Sequence, residues 1–433
     1  MFKKLIAIIC VIVLPSGSYA LLNLELTQGV AAAIPVAITP FTTTTSAPEA
    51  QSLGEIISAD LKNSGQFAVK SVAFTPELLE ANTAGKALKQ NGVESLLLGD
   101  ITRHSNGSLT IHIKLLAMQQ AHSAKVVLAR KITIPNISSL RRAAHHISDQ
   151  IYQTLTGVPG VFSTKIAYVA IESRGRQTIY RLETSDQDGF NARTILTSSQ
   201  PIMSPAWSPD GKQIAYVSFE KQHAAIYIQN IVSGARHLIS EVPGINGAPA
   251  FAPDGKKLAV VLSKSGSPNV YIMDIASKQL KTVTQDYYIN TEPAWSPDGK
   301  KLLFTSNRSG GPQIYLYNLN NGYIERLSFN GNYNARASFT PDGEKIIMIH
   351  RVDGRFNIAV QDLQNGQVKI LSNKTTNSAS PSLAPNGMMV LYDVEREGKN
   401  ELAMASVDGR IQIILPARSG SAQDAAWAPF AIS

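Results

Sequence analysis

The chain repeats nearly the same phrase every 44 residues. PAWSPDGK stands at 205–212 and again at 293–300; PAFAPDGK lies at 249–256, ASFTPDGE at 337–344, PSLAPNGM at 381–388 and AAWAPF at 425–430. Aligned on the aromatic position, Trp207, Phe251, Trp295, Phe339, Leu383 and Trp427 each follow the last by 44 residues. A strict period of this length marks an array of like units, each needing its neighbours to bury a core. Inside a unit the motif leads into a β-rich run such as QIAYVS (213–218) or KLLFTS (301–306), then AIYIQN (225–230) or QIYLYN (313–318), then a short third such as KTVTQ (281–285). A fourth strand enters the next motif. Four short strands bounded by Gly, Asn, Asp and Ser describe a propeller blade. KIAYV (165–169) opens a blade that lacks an inner strand, and Trp427 ends the chain on an inner strand that lacks a blade. Pairing the two closes the ring and removes its free edges. The expected fold of residues 160–433 is therefore an all-β six-bladed β-propeller. The motif carries no nucleophile and no ligand cluster. Its Pro presets φ, its Asp bonds local backbone and its Gly accepts positive φ, so a turn plus inter-blade packing accounts for it.

Residues 1–20 follow a different logic. Lys3 and Lys4 precede an apolar run at 5–14, Pro15 and Gly17 break it, and Ser18 and Ala20 are small. This is the pattern of a secretory signal peptide, with cleavage expected after Ala20. The apolar run is too short for a bilayer, which takes about 20 residues. Cys10 is the chain's only cysteine and lies inside this segment, with Ile9 where a lipidation site needs a small residue. The mature chain is expected to use no disulfide and no thiolate metal site. The formal charge is +8, yet its basic residues cluster no further than the pair Arg141-Arg142. No nucleic-acid partner is expected, and export points to the periplasm.

Residues 34–157 read as a compact α/β domain ahead of the propeller. Ser46 and Glu49 form a capping box around Pro48, opening a helix that turns Leu53, Ile56, Ile57 and Leu61 inward and ends near Gly65. A second helix is expected over 76–90. SLLLGDITRH (95–104) and SLTIHIKLL (108–116) flank Asn106-Gly107, which favours a type I′ hairpin turn. A strand follows at 125–134. Asn136 can cap a helix through 155 with Leu140, Ala144, Ile147, Ile151 and Leu155 on one face. His145 and His146 stand four and three residues before Asp149 there, a spacing that suggests pairing on the helix surface. Gly157-Val158-Pro159-Gly160 ends the helix and links the domains. Residues 21–33 form a separate arm. Its start alternates Leu22, Leu24 and Leu26 as a pairing strand would, so it is either the domain's first strand or a mobile segment.

The repeat also indexes the channel entrance. Five residues before the aromatic stand Ile202, Asn246, Asn290, Asn334, Ser378 and Ala422. Four before stand Met203, Gly247, Thr291, Ala335, Ala379 and Gln423, and three before stand Ser204, Ala248, Glu292, Arg336, Ser380 and Asp424. These positions vary from blade to blade where the turn does not, which suits recognition of an asymmetric partner. Glu292 and Asp424 are the places where a channel cation would be sought, although no clustered oxygen ligands surround either in sequence.

IPVAITPF (34–41), IISADLKNSGQF (56–67), LTGVPGVFSTKIAYV (155–169), PIMSPAWSPDGKQIAYVSFE (201–220), NGAPAFAPDGKKLA (246–259), NTEPAWSPDGK (290–300) and PSLAPNGMMVLY (381–392) together resemble the TolB family, the periplasmic component of the Tol–Pal system of Gram-negative envelopes. PDG repeats are common among propellers; their pairing with this N-terminal domain is specific. The resemblance implies a non-enzymatic, monomeric interaction protein without cofactor, peripheral to the membrane through its partners and supporting outer-membrane integrity and envelope constriction at division. It implies an N-terminal domain like an anticodon-binding α/β fold, a likeness of architecture only. It implies a TolA-binding arm made of Leu21, Leu22, Asn23, Leu24, Glu25, Leu26, Thr27, Gln28, Gly29 and Val30, free or docked on the protein's own body. It also implies a propeller mouth that binds the lipoprotein Pal, with Asn246, Asn290, Thr291, Glu292, Asn334 and Arg336 as contacts. Gly244-Ile245 stands where the family often has a basic residue or histidine. Two other readings of such a propeller are a periplasmic hydrolase and a carbohydrate-binding protein. The first needs a Gly-x-Ser-x-Gly elbow, which the chain lacks; the second would use Tyr287, Tyr288 and Tyr333 as a sugar platform.

Overall fold

The computed structural model describes residues 23–26, 33–43, 48–70, 81–119, 123–415 and 420–430. The expected signal peptide, the arm residues Leu21, Leu22, Thr27, Gln28, Gly29 and Val30, the capping-box Ser46 and the first turn expected of the second helix lie outside them.

Six sheets follow one another around a channel, as the period requires, five of four strands and one of five. The last inner strand, Ser421–Trp427, pairs antiparallel with Lys165–Arg174 and completes blade 1. The inner strands of blades 2 to 6 are Ile202–Trp207, Asn246–Phe251, Asn290–Trp295, Asn334–Phe339 and Ser378–Leu383. Ring closure therefore rests on backbone hydrogen bonds between the two ends of the domain. The motif acts as a turn and a packing unit. Gly211, Gly255 and Gly299 sit at φ 67, 68 and 68°, a conformation glycine adopts without strain. The indole of Trp207 donates to the Ala426 carbonyl and that of Trp295 to the Ala250 carbonyl, each at 3.1 Å and each in the preceding blade.

In the N-terminal domain, Ile34–Ile38 lies parallel between Phe67–Lys70 and Ser95–Arg103, and Leu109–Met118 and Ala124–Ile134 continue the sheet antiparallel. Helices α1 (Pro48–Asn63) and α3 (Leu140–Thr156) share a core in which Leu53, Ile57, Leu61, Ala144, Ile147 and Ile151 are fully buried. Helix α2 (Ala81–Gln90) places Leu88 in a second cluster with Leu96 and Leu116. This is the expected α/β layer.

Three local expectations are corrected. The turn at Asn106-Gly107 is a three-residue loop: His104 and Ser108 pair, Gly107 N–H bonds the His104 carbonyl, and only Gly107 has positive φ. A type I turn followed by a left-handed glycine replaces type I′, which needs both residues there. Asn136 does not cap α3 with its side chain, whose Oδ1 accepts the Ser138 hydroxyl at 2.6 Å; it stands at the start of a 3-10 turn (Ile137–Ser139) that precedes α3. His145 does not pair with Asp149 on the helix surface; it is buried and faces Asp60 on α1, while His146 meets Gln150. Asp149 instead accepts the N–H groups of Phe162 and Ser163.

The arm is a strand, but of the other domain. Asn23–Leu26 pairs antiparallel with Ile411–Ile414, from Asn23 opposite Ile414 to Leu26 opposite Ile411, and becomes the fifth strand of blade 6.

Candidate functional site

Each inner strand is bent at the same place. Its ladder slips between the fourth and the first residue before the aromatic in all six blades. The third residue before the aromatic takes the left-handed conformation: Ser204, Ala248, Glu292, Arg336, Ser380 and Asp424 have φ between 44 and 53°. A β-bulge with a non-glycine residue at positive φ is strained. Its recurrence in every blade shows what the bend achieves: it re-aims one side chain per blade.

Those side chains form a belt across the channel. The Thr305 hydroxyl donates to Glu292 Oε2 at 2.8 Å and accepts the Arg336 N–H at 2.9 Å. The Arg336 guanidinium reaches Ser380 Oγ and Asp424 Oδ1, both at 2.9 Å, and Ser380 Oγ donates to the same Oδ1 at 3.0 Å. Asp424 Oδ2 accepts the Ser204 N–H at 3.1 Å. The belt thus runs from blade 4 through 5, 6 and 1 to blade 2. Behind it, Asp393 Oδ2 accepts the Asp424 N–H at 2.9 Å, while its Oδ1 is buried without a partner. Burial and then the Asp424 charge push the Asp393 carboxyl up to about 7. Burial also works against the Asp424 carboxylate, but Arg336 and the hydrogen bonds hold it below the usual range. Of the two carboxylates where a cation would be sought, Asp424 already faces a guanidinium of the same chain. Further along the inner strands the channel widens into a cavity of about 480 Å³ walled by Trp207, Phe251, Trp295 and Trp427.

The asparagines expected to touch a partner are buried instead. Asn246, Asn290 and Asn334 are at most 1% exposed, because each amide closes the loop that leads into its own strand. Asn246 accepts the Ser240 hydroxyl at 2.7 Å and donates to the Val242 carbonyl. Asn290 donates to Asp286 at 2.6 Å and Asn269 at 3.0 Å and accepts from Arg308. Asn334 donates to Gln313 and the Asn330 carbonyl. Unpaired amides buried there would cost too much to persist, so these residues shape the mouth from behind. Thr291, Glu292 and Arg336 remain partly exposed.

The repeat alignment does not index the rim, where Tyr287, Tyr288 and Tyr333 enter only as a sugar platform. Ile245 and Ile289 precede the buried asparagines and are exposed, as are Tyr288 and Phe329, and Tyr287 is 96% exposed. They occupy equivalent loops of blades 3, 4 and 5, so one side of the mouth is an apolar crescent. The available signal was the apolar residue directly before each asparagine, Ile245, Ile289 and Tyr333. Such residues have no reason to be apolar in a solvated loop unless something covers them.

Residues 22–123 match the family model of the TolB amino-terminal domain, and residues 152–431 that of the TolB beta propeller domain. The chain is 44% identical over 248 residues to the Tol-Pal system protein TolB of Legionella pneumophila (strain Corby), a match covering 57% of this chain and 56% of that protein. It is 49% identical over 237 residues to the Tol-Pal system protein TolB of Coxiella burnetii, covering 53% of each. These matches span little more than half the length of either relative. The crystal structure of TolB from Acinetobacter baumannii superposes with a TM-score of 0.84 at 38% identity, covering 94% of this chain and 100% of that one. With both family domains present in order and the propeller model alone covering most of the chain, the protein belongs to the TolB family.

Proposed function

We propose that this protein is a non-enzymatic, periplasmic adaptor of the Tol–Pal system that binds the lipoprotein Pal at the propeller mouth and TolA through residues 21–30, so supporting outer-membrane integrity and constriction at division. The observation that carries the reading is the apolar crescent of Ile245, Tyr287, Tyr288, Ile289 and Phe329 beside the polar belt of Glu292 and Arg336. Exposed aromatics around a polar centre make a docking surface for a protein. Among the described residues no helix is long and apolar enough to cross a membrane, and the reading has the chain exported with cleavage after Ala20 and acting as a monomer without cofactor.

The arm supports the second half of the reading. Four paired residues gain few hydrogen bonds, while ordering costs about 1–2 kcal/mol per residue. Docking is close to balance, and a partner that pairs with the arm in trans can draw it away.

Calorimetric titration of Pal and TolA into the chain from Leu21 tests both halves. Tyr287→Ala with Phe329→Ala is expected to weaken Pal binding at least tenfold, about 1.4 kcal/mol, and to leave TolA binding unchanged. Deleting residues 21–30 is expected to abolish TolA binding with the fold intact. Unchanged Pal affinity in the first variant, or unchanged TolA affinity in the second, removes that half of the reading.

A further inference from the structure

A buried row of charges joins the N-terminal domain to the propeller. His145, on α3, is 1% exposed. Its Nδ1 lies 2.8 Å from Asp60 Oδ2, on α1, and its Nε2 lies 3.4 Å from Asp188 Oδ2. Asp188 belongs to the propeller, in the turn of blade 1 between Gln177–Asp186 and Arg193–Ser198. Arg141, one turn before His145, donates to the same Asp188 oxygen and stacks 3.8 Å over the Phe190 ring. One imidazole therefore stands between a carboxylate of each domain, and all three groups are buried.

A neutral imidazole has one N–H and one lone pair. It can donate to Asp60 or to Asp188, and its bare nitrogen then turns a lone pair on the other carboxylate. Only the imidazolium offers an N–H to each, and at 3.4 Å, without a hydrogen bond from Nε2, the contact with Asp188 is one of charge. We propose that His145 is a protonation-dependent latch between the two domains, firm when both ring nitrogens carry protons and loosened when Nε2 loses its own.

The surrounding groups agree in sign. Burial disfavours the charged ring, but Asp60 and Asp188 outweigh burial and raise its pKa, with Arg141 opposing. Burial raises the Asp60 carboxyl as well, with His145 opposing. Asp149, also on α3, is held by Phe162 and Ser163. A group whose pKa is raised by docking strengthens docking below its ordinary pKa and loses that contribution as pH rises through the docked value. Of the raising causes Asp188 is the one that docking supplies, and its share strengthens the interface on the acidic side. Arg141 also holds Asp188, so deprotonation of the ring loosens the contact without severing it. The domain contact also lies near the arm. A Cβ placed on Gly65, just beyond α1, would lie 3.1 Å from the Ile411 side chain, and Ile411 pairs with Leu26 of the arm.

The test uses the chain from Leu21. NMR of the His145 ring follows its protonation, and hydrogen–deuterium exchange of α3, corrected for intrinsic rates, follows docking from about pH 5.5 to 8.5. The ring is expected to stay charged above its ordinary pKa of about 6.5, and protection to fall several-fold as it titrates. Asp188→Asn is expected to flatten that pH dependence, and His145→Gln to abolish it. A ring that is neutral throughout overturns the proposal, as does Asp188→Asn protection that follows pH like the parent's. Should both variants fail to fold, the parent decides alone: a ring that titrates without any change in protection also overturns it.

Discussion

The side chains of Arg336 and Asp424 stand 88 residues apart in sequence, two full periods, and meet at 2.9 Å across the channel. They occupy the same position of the repeat in blades 5 and 1. Equivalent positions in a ring face one axis, so opposite charges placed at them pair without any local signal in the chain. Arg336 is 28% and Asp424 10% exposed, and Asp393 lies behind them.

Removing the cation should therefore leave two buried carboxylates facing each other. Arg336→Ala is expected to destabilise the propeller by about 2 kcal/mol, below the 3–5 typical of a fully buried pair because the guanidinium is partly solvated. Asp424→Asn in the same chain should restore part of the loss. Urea unfolding of the two single variants and the double variant measures the coupling.

The raised Asp393 carboxyl gives the propeller its own pH dependence. A carboxyl whose folded pKa of about 7 exceeds its ordinary value favours the neutral folded form. The sign follows: its contribution is complete below the ordinary value and is lost as pH climbs through about 7, at no more than about 1.4 kcal/mol per pH unit for one proton. Melting temperature should fall between about pH 4 and pH 7 in the parent and level off above that, and Asp393→Asn should remove that part of the fall.

Two successive blade junctions carry a hydrogen bond that the next one lacks. Asn290 donates to Asn269, and Asn334 to Gln313. At the next junction the equivalent residue is Ser378, and both Ser378 Oγ and Asn357 Oδ1 are buried without partners. Ser378→Asn is expected to supply the missing donor and raise stability by about 1 kcal/mol, read as a higher urea midpoint at unchanged slope.

The bulge strain can be relieved where the side chain does least. Ala248 is held at φ 44° and presents only a methyl group. Ala248→Gly is expected to stabilise by about 0.5–1 kcal/mol, since the left-handed cost of about 1–2 kcal/mol outweighs the entropy glycine adds to the unfolded chain. Glu292→Gly should not show the same gain, because it also removes the bond from Thr305. Chemical denaturation of both variants separates the two cases.

The architecture was legible because its information is local and periodic. Trp207 to Trp427 recur every 44 residues, the runs between them alternate as strands do, and an unpaired start at Lys165 matches an unpaired end at Trp427. Those facts are enough for six blades and their closure. The mouth was legible only as an address. The alignment found the positions of Asn290 and Glu292 but not that Asn290 turns back into its loop while Ile289 faces out, since a turn of backbone between adjacent residues decides exposure.

By itself, then, the sequence determined the fold class, the blade count and which residues are equivalent, because each follows from patterns within one repeat. Only the tertiary structure decided which equivalents meet: Arg336 with Asp424, the strand Asn23–Leu26 on blade 6, His145 between Asp60 and Asp188. Each of these contacts joins segments that become neighbours only after the ring has closed and the N-terminal domain has docked on it. Their energies depend on burial and on charges set in place by distant parts of the chain.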